Sequence, residues 1–453
     1  MESTWALLTV HSAKRAALAQ SVYEASPAEQ TEVTVISELS DLTRFTKELV
    51  HQNVARSDVT VRVRAMIGQR TGVATTNLLD EAALRRVADR ASAIARLAPE
   101  DAGQPPLVRV GAPLEAPPGA YADATAGATP EARADHARAI FSVADRFGYW
   151  PAGFSTTSAA GVTIVNSSGT HASFDGTDAA INVKMNAPDS SGYAEAYDSD
   201  VGKLNARAVA DVAAEKARAG AQPRAVEPGP WTVILEPAAF GEFIAYLTNH
   251  FSAQTFSEGA SFLSDGLGKT YVGENVTIMD DYAHPLAPSM PFDFEGHPTQ
   301  RIALIEGGIG RAVVTDNYWA QKLKMGNTGH ALPAPNAWGP QPTHLVVSHG
   351  TKPLAELIDE TERGLLVSRF WYIRTVDPRK AIVTGMTRDG TFLIERGKIS
   401  AGVRNLRFNE SILEALRRCE FSNAPQRTGT YAYSLVVPAA KIEGFTFSSS
   451  TEF

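Results

Sequence analysis

The sequence predicts an α+β fold with extensive, largely antiparallel sheet, and three observations carry that expectation. Residues 59–66 alternate apolar and polar side chains almost regularly, with arginine on one side, as a half-exposed strand does. Residues 80–97 repeat with helical period and are followed by Pro99. Beyond residue 228, many short strand-like runs succeed one another with Gly, Pro and Asn between them.

Taken in order, residues 5–25 are alanine-rich with helical spacing and end at Ser26-Pro27, and 31–36 alternate as a strand. Gly68 and Gly72 punctuate a hairpin-like return into a strand at 73–76. The helix at 80–97 has Ala82, Leu84, Val87 and Ala91 among its apolar positions. Residues 101–129, rich in Pro, Gly, Ala and Thr, read as a connector with an extended piece at 107–110, and Pro130 opens a helix to about Ala144. Residues 161–185 return to strand and turn, and 204–219 form a helix. Pro228-Gly229-Pro230 is the best boundary, dividing an N-terminal α/β domain with its connector (1–228) from a β-rich domain (229–453). There strands are expected at 232–235, 275–279, 300–305, 343–348, 364–373, 380–384 and 390–395, and helices only near 240–251 and 409–418.

Of the 453 residues, 44% are hydrophobic, enough for a large core, and the formal charge of -8 gives no general attraction to nucleic acid or anionic lipid. The densest basic stretch, 396–407, reads as an ordinary solvated edge. Cys419 is the one cysteine, which excludes an intrachain disulfide and fits a reducing compartment. Residues 1–10 show no export signal, and no run approaches the roughly 18 to 20 apolar residues of a membrane-spanning helix. A soluble, cytoplasmic protein is expected.

Motifs of chemistry are sparse. Glu306-Gly-Gly-Ile-Gly310 follows a strand but opens no helix, so it reads as a tight turn. No HExxH occurs among the 10 histidines, although His330, His344 and His349 lie close in sequence. Asp280, Asp281 and His284, with Asp293 and Glu295 just beyond, form a denser group that could orient a peptide or bind a hard cation, yet turn carboxylates that accept backbone hydrogen bonds explain it at lower cost. No GxSxG elbow is present, and Cys419 is expected on a helical stretch between Arg418 and Glu420. Phe370-Trp371-Tyr372 reads as a strand with one face in the core, or as a groove that stacks on a ligand.

Several ordered blocks resemble the TldD/PmbA family, also called the modulator-of-DNA-gyrase family. They are Arg44-Phe45 with His51-Gln52-Asn53 and the run to Asn77; Val162 to Gly169; Ser261-Phe262 with Gly266-Leu267-Gly268 and Val276 to Asp281; Pro291 to Gly296 continuing to Gly308; and Phe392 to Ile399. The resemblance implies an N-terminal α/β domain, a C-terminal domain built on a large curved or barrel-like antiparallel sheet, and subunits paired around a chamber. In the family's active subunit a helix carries His-Glu-x-x-x-His, and a later cysteine completes a zinc site. Aligned on the strand 231–235, this chain has Glu236 at the first histidine, Pro237 at the glutamate and Gly241 at the second histidine. Cys419 lacks the glycine-rich setting of the family's metal-binding cysteine. The pattern resembles the partner subunit of the TldE/PmbA type, which lacks the zinc motif.

The resemblance thus implies no catalytic residue and no metal in this chain, zinc in a TldD-like partner subunit or pairing of the chain with itself, and a peptide substrate. Nucleic acid and membrane are not expected partners. Two other readings stay open: an autonomous metallopeptidase with unconventional ligands, and a homo-oligomeric peptide-binding or scaffold protein.

Overall fold

A computed structural model describes residues 12–111, 114–429 and 434–450. The stretch 1–10 and the beginning of the first expected helix lie outside the described residues.

The alternation at 59–66 belongs to a six-stranded sheet, antiparallel throughout, in the order β3-β2-β1-β4-β5-β6. Its strands are β1 (Gln30–Thr46), β2 (Leu49–Ile67), β3 (Arg70–Thr76), β4 (Trp150–Asn166), β5 (His171–Asn186) and β6 (Ser191–Asp198). The expected strands lay inside these elements and were too short. The expected extended piece at 107–110 is not a strand; its Val108 carbonyl accepts hydrogen bonds from Asn166 and Thr170 side chains.

Four helices, α1 (Ser12–Glu24), α2 (Glu81–Leu97), α3 (Pro130–Phe147) and α4 (Ala206–Ala219), pack on one face of this sheet. The shared face follows from parity: Val33 and Val35 meet α1 and α2, and Phe45, on the same side of β1, meets α3. Local chemistry sets the helix ends. Asp80 caps α2 by accepting from the Ala83 amide at 2.9 Å, and Thr129 with Pro130 starts α3. A Cβ at Gly192 would fall 2.1 Å from the Ala213 carbonyl oxygen, so glycine lets α4 lie directly on β6. The opposite sheet face, with Val162, Ile164 and Ala172, packs on Phe292 from the second half of the chain.

That half contains β7 (Gly229–Leu235), β8 (Ile278–Asp280), β9 (Ile302–Glu306), β10 (Ile309–Gly310), β11 (His344–Val347), β12 (Arg363–Asp377), β13 (Ile382–Glu395), β14 (Lys398–Gly402), β15 (Leu406–Ser411), β16 (Cys419–Phe421), β17 (Gln426–Gly429), β18 (Ser434–Val437) and β19 (Ala440–Ser450). Pairings β7–β12, β12–β13, β13–β15, β15–β19 and β19–β7 close a five-stranded barrel. A helix that follows β7 directly, α5 (Pro237–Ile244), sends Phe243 among Phe370, Phe408 and Phe445, with ring centroids 6.3, 6.2 and 5.8 Å away. A second sheet runs β10-β9-β8-β11-β18-β17.

Three expectations are corrected here. The helix expected at 409–418 is only Ile412–Leu416, because Leu406, Phe408 and Glu410 alternate inward on the barrel; Cys419 consequently begins a strand. The runs at 380–384 and 390–395 are one strand, β13, interrupted in register where Asp389 and Gly390 adopt positive φ of 50° and 131°. The helix expected at 240–251 starts at Pro237 and tightens to 3₁₀ geometry after Ile244. The basic stretch 396–407 includes β14, at the edge of its sheet. Among the described residues no helix is long and apolar enough to cross a membrane.

Candidate functional site

Two regions merit chemical scrutiny, both at the junction of the six-stranded sheet with the second half. The first surrounds the start of α5. Glu236 closes β7, donates its amide to the Val367 carbonyl at 3.0 Å, and places its carboxylate 2.8 Å from Lys216 Nζ of α4. Both side chains are largely buried, and Lys216 also donates to the Tyr193 carbonyl at 3.1 Å. Pro237 occupies the first helical turn. Thr428 packs on Gly241 so closely that a Cβ there would lie 2.3 Å from its Oγ1.

Beside this start lies a buried polar array. Tyr193, Glu195 and Tyr197 alternate on one face of β6, and both phenols donate to the Glu195 carboxylate, that of Tyr197 at 3.2 Å. Arg369 lies over the Tyr193 ring, 4.2 Å from its centroid, and 3.7 Å from Asp389. Asp389 is further held by Ser191 at 2.7 Å and Lys184 at 3.0 Å. Glu242 accepts the Phe370 amide at 2.8 Å and sits 3.8 Å from Arg369. Burial pushes the Glu242 carboxyl up to about 7, against the opposing effect of Arg369. Burial raises Glu195 too, while its two tyrosine partners oppose the rise.

The second region is a groove of two adjoining cavities, about 280 and 270 Å³, which share Ala160, Phe174, Ser289 and His344 in their walls. Val162 and Phe174 come from the six-stranded sheet; Phe292, His330 and Gln341 come from the second half. Beneath the groove Asp280 is fully buried, with one carboxylate oxygen 3.5 Å from His330 Nε2 and 4.0 Å from His344 Nδ1. Burial alone would raise the Asp280 carboxyl, but the His330 and His344 rings hold it below the usual range. Thr328 and Thr343 each meet the Nδ1 of one ring, at 2.9 Å. Burial lowers His344.

The five acidic and histidine positions singled out from sequence are therefore dispersed. Asp280 joins two of the later histidines. Asp281 pairs with Arg301 at 2.7 Å and caps the Ala283 amide, while the His284 ring accepts from the Leu286 amide. Asp293 accepts the amides of Glu295, His297 and Ala331, each at 2.9 Å, which is turn chemistry at the groove wall. Glu295 binds Arg64 of β2 at 2.8 Å and ties the two halves together. His349 meets its neighbouring Gly350 carbonyl at 3.0 Å, apart from the Asp280 cluster. Cys419 is half-buried, and burial pushes its thiol up to about 12.

Residues 228–449 match the PmbA/TldA metallopeptidase C-terminal domain, and residues 32–95 match PmbA/TldA metallopeptidase domain 1. The chain belongs to the PmbA/TldD family. Among curated relatives, the Metalloprotease PmbA homolog of Haemophilus influenzae is 28% identical over 218 residues, 47% of this chain and 45% of that protein. Metalloprotease PmbA of Escherichia coli O157:H7 is 27% identical over 191 residues, 41% of this chain and 39% of that protein. The aligned parts thus span less than half the length of either relative. The solved structure of TldE from Thermococcus kodakarensis superposes with a TM-score of 0.87 over 95% of this chain and 99% of that one, at 20% identity, a likeness of fold.

Family membership raises the question of zinc, and the start of α5 does not fit it. The carboxylate of Glu236 is engaged by an ammonium, Pro237 and Gly241 offer no donor side chain, and Thr428 fills the space a side chain at 241 would enter. The PmbA/TldD sequence signals did not disclose the polar array on β6, although Tyr193-x-Glu195-x-Tyr197 is a visible strand alternation. Nothing local pairs Asp280 with His330.

Proposed function

We propose that this PmbA/TldD chain is the metal-free subunit of a two-component zinc peptidase of the cytoplasm. A relative that keeps His-Glu-x-x-x-His supplies the zinc and the hydrolytic water, and this chain supplies part of the chamber wall and holds extended peptide. The observation that carries the reading is the filled helix start: Lys216 neutralises Glu236, and Thr428 closes on Gly241. Those contacts make the region a structural joint between α4 and α5, stable without metal.

The groove between the halves supports the peptide part. Val162, Phe174 and Phe292 offer an apolar wall for a side chain, and His344, which lines both cavities and meets Thr343 and Asp280 through Nδ1, offers its Nε2 to a main chain. Asp293 and Glu295 shape this wall rather than contact substrate, because their carboxylates are spent on backbone amides and Arg64.

The reading is tested by purifying the chain together with a family member that retains the histidine pair. A stoichiometric heteromer is the expected result. Separate elution across a range of salt and protein concentration contradicts it.

A further inference from the structure

One carboxylate beneath the groove lacks a cation. Asp280 is fully buried; its Oδ2 accepts the His344 amide at 3.1 Å, and its Oδ1 approaches the ring nitrogens of His330 and His344 at 3.5 and 4.0 Å. Among the described residues no lysine or arginine pairs with it. The other carboxylates at the groove are engaged: Asp281 by Arg301 and Asp178 by Arg427, both at 2.7 Å, and Asp293 by three backbone amides. In the Asp178–Arg427 pair the carboxylate is the more exposed partner, 44% against 16%, so the side that faces the cavity is negative.

His344 links Asp280 to the groove, because its ring lines both cavities. Burial lowers its pKa, so the ring is neutral at pH 7. A carboxylate near Nδ1 favours the tautomer with the proton there, donated to Thr343 Oγ1 at 2.9 Å, and Nε2 is left as an acceptor. The cavity beside this acceptor is lined by Val162, Phe174, Met290, Phe292, Phe294 and Leu332. Its volume of about 280 Å³ exceeds the roughly 150 Å³ that admits benzene to an engineered apolar cavity. A charged side chain entering it would find Asp293 already satisfied and the His344 ring neutral, and would stay unpaired.

We infer that the groove takes the amino-terminal residue of a peptide, with the ammonium on His344 Nε2 and a bulky apolar first side chain in the cavity. Charge selects the chain end. An internal amide also donates to Nε2, but only an ammonium answers the unpaired charge of Asp280 behind the ring. A carboxyl terminus has the wrong sign and no donor. The inference rests on the reading of the groove as a peptide site and names the peptides it selects.

Fluorescence anisotropy on the full chain at pH 7, with pentapeptides labelled at the C-terminus, tests it. A peptide beginning with free phenylalanine should bind at least about tenfold more tightly than its N-acetylated form, as loss of a charge-assisted hydrogen bond implies. It should also bind more tightly than peptides beginning with alanine or glutamate. Ala160→Trp, at an exposed position in the shared wall, should keep the parent Tm and lose the preference for phenylalanine. Asp280→Asn should bind the acetylated peptide as the parent does and close most of the gap to the free one. The acetylation comparison uses the parent chain, so it decides even where Asp280→Asn folds poorly.

Equal affinity for free and acetylated peptides, or for phenylalanine, alanine and glutamate in first place, overturns the inference and leaves the heteromer and its hydrolysis untouched. Binding of none of the peptides overturns the groove as a peptide site as well.

Discussion

Lys216 Nζ lies 2.8 Å from the Glu236 carboxylate, and that contact joins the last helix on the six-stranded sheet to the first helix of the barrel half. The two side chains are only 19% and 15% exposed, so neither has much water to fall back on. Lys216→Met, which strands the carboxylate, should lower unfolding free energy by roughly 2 to 3 kcal/mol, below the usual figure for a fully buried pair. Adding Glu236→Gln should recover part of that loss in urea denaturation, since the uncompensated charge is removed.

Packing of Thr428 on Gly241 makes a different prediction. Gly241→Ala puts a methyl 2.3 Å from the Thr428 Oγ1 and should destabilise by about 2 kcal/mol, as overpacked cores do. Thr428→Ala in the same chain should relieve it, visible as a return of Tm toward the parent value. By the same geometry, rebuilding Glu236→His, Pro237→Glu and Gly241→His together should yield no stoichiometric zinc by metal analysis while Thr428 is present.

Glu242 should make stability depend on pH. Burial raises its folded carboxyl to about 7, above the unfolded value of 4.5, so the folded state holds the proton more tightly. The penalty for the charged form is absent below about 4.5, grows as pH rises through that window, and is complete above about 7. Glu242→Gln should therefore match the parent near pH 5 and exceed it above pH 8 by roughly 1 to 2 kcal/mol, discounted because a third of the side chain reaches solvent. Equal parent and variant stability at both pH values would remove this assignment.

Arg64 bridges Glu32 at 2.7 Å and Glu295 at 2.8 Å, with all three side chains nearly buried. Arg64→Met leaves two buried carboxylates without their cation and should cost about 3 to 5 kcal/mol in chemical denaturation. Arg64→Lys should restore only part, because one ammonium does not reproduce the two-pronged contact.

How much the sequence disclosed varies with the physics of each element. β2 was legible because Val59, Val61 and Val63 face the helices while Arg62 and Arg64 face away, which leaves a period of two in the chain. The stretch from Leu406 to Leu416 misled because inward Leu406, Phe408 and Glu410 run directly into a one-turn helix, and together they imitate a longer one. The expected strands at 380–384 and 390–395 left a gap that the structure fills with one strand, because Asp389 and Gly390 at positive φ bulge it without ending it. At the site, Glu236, Pro237 and Gly241 were placed by resemblance, but Lys216 and Thr428, which explain what those residues do, lie on elements distant in sequence. The Asp280, His330 and His344 cluster has the same origin: β8 and β11 are neighbours only in the folded sheet.

The most direct test of the central claim is peptide hydrolysis by this chain alone and after mixing with a relative bearing His-Glu-x-x-x-His, with bound zinc counted in each sample. The account predicts that this chain alone neither holds stoichiometric zinc nor cleaves peptide, and that the mixture does both, faster than the relative by itself. Zinc and hydrolysis in this chain alone would contradict it.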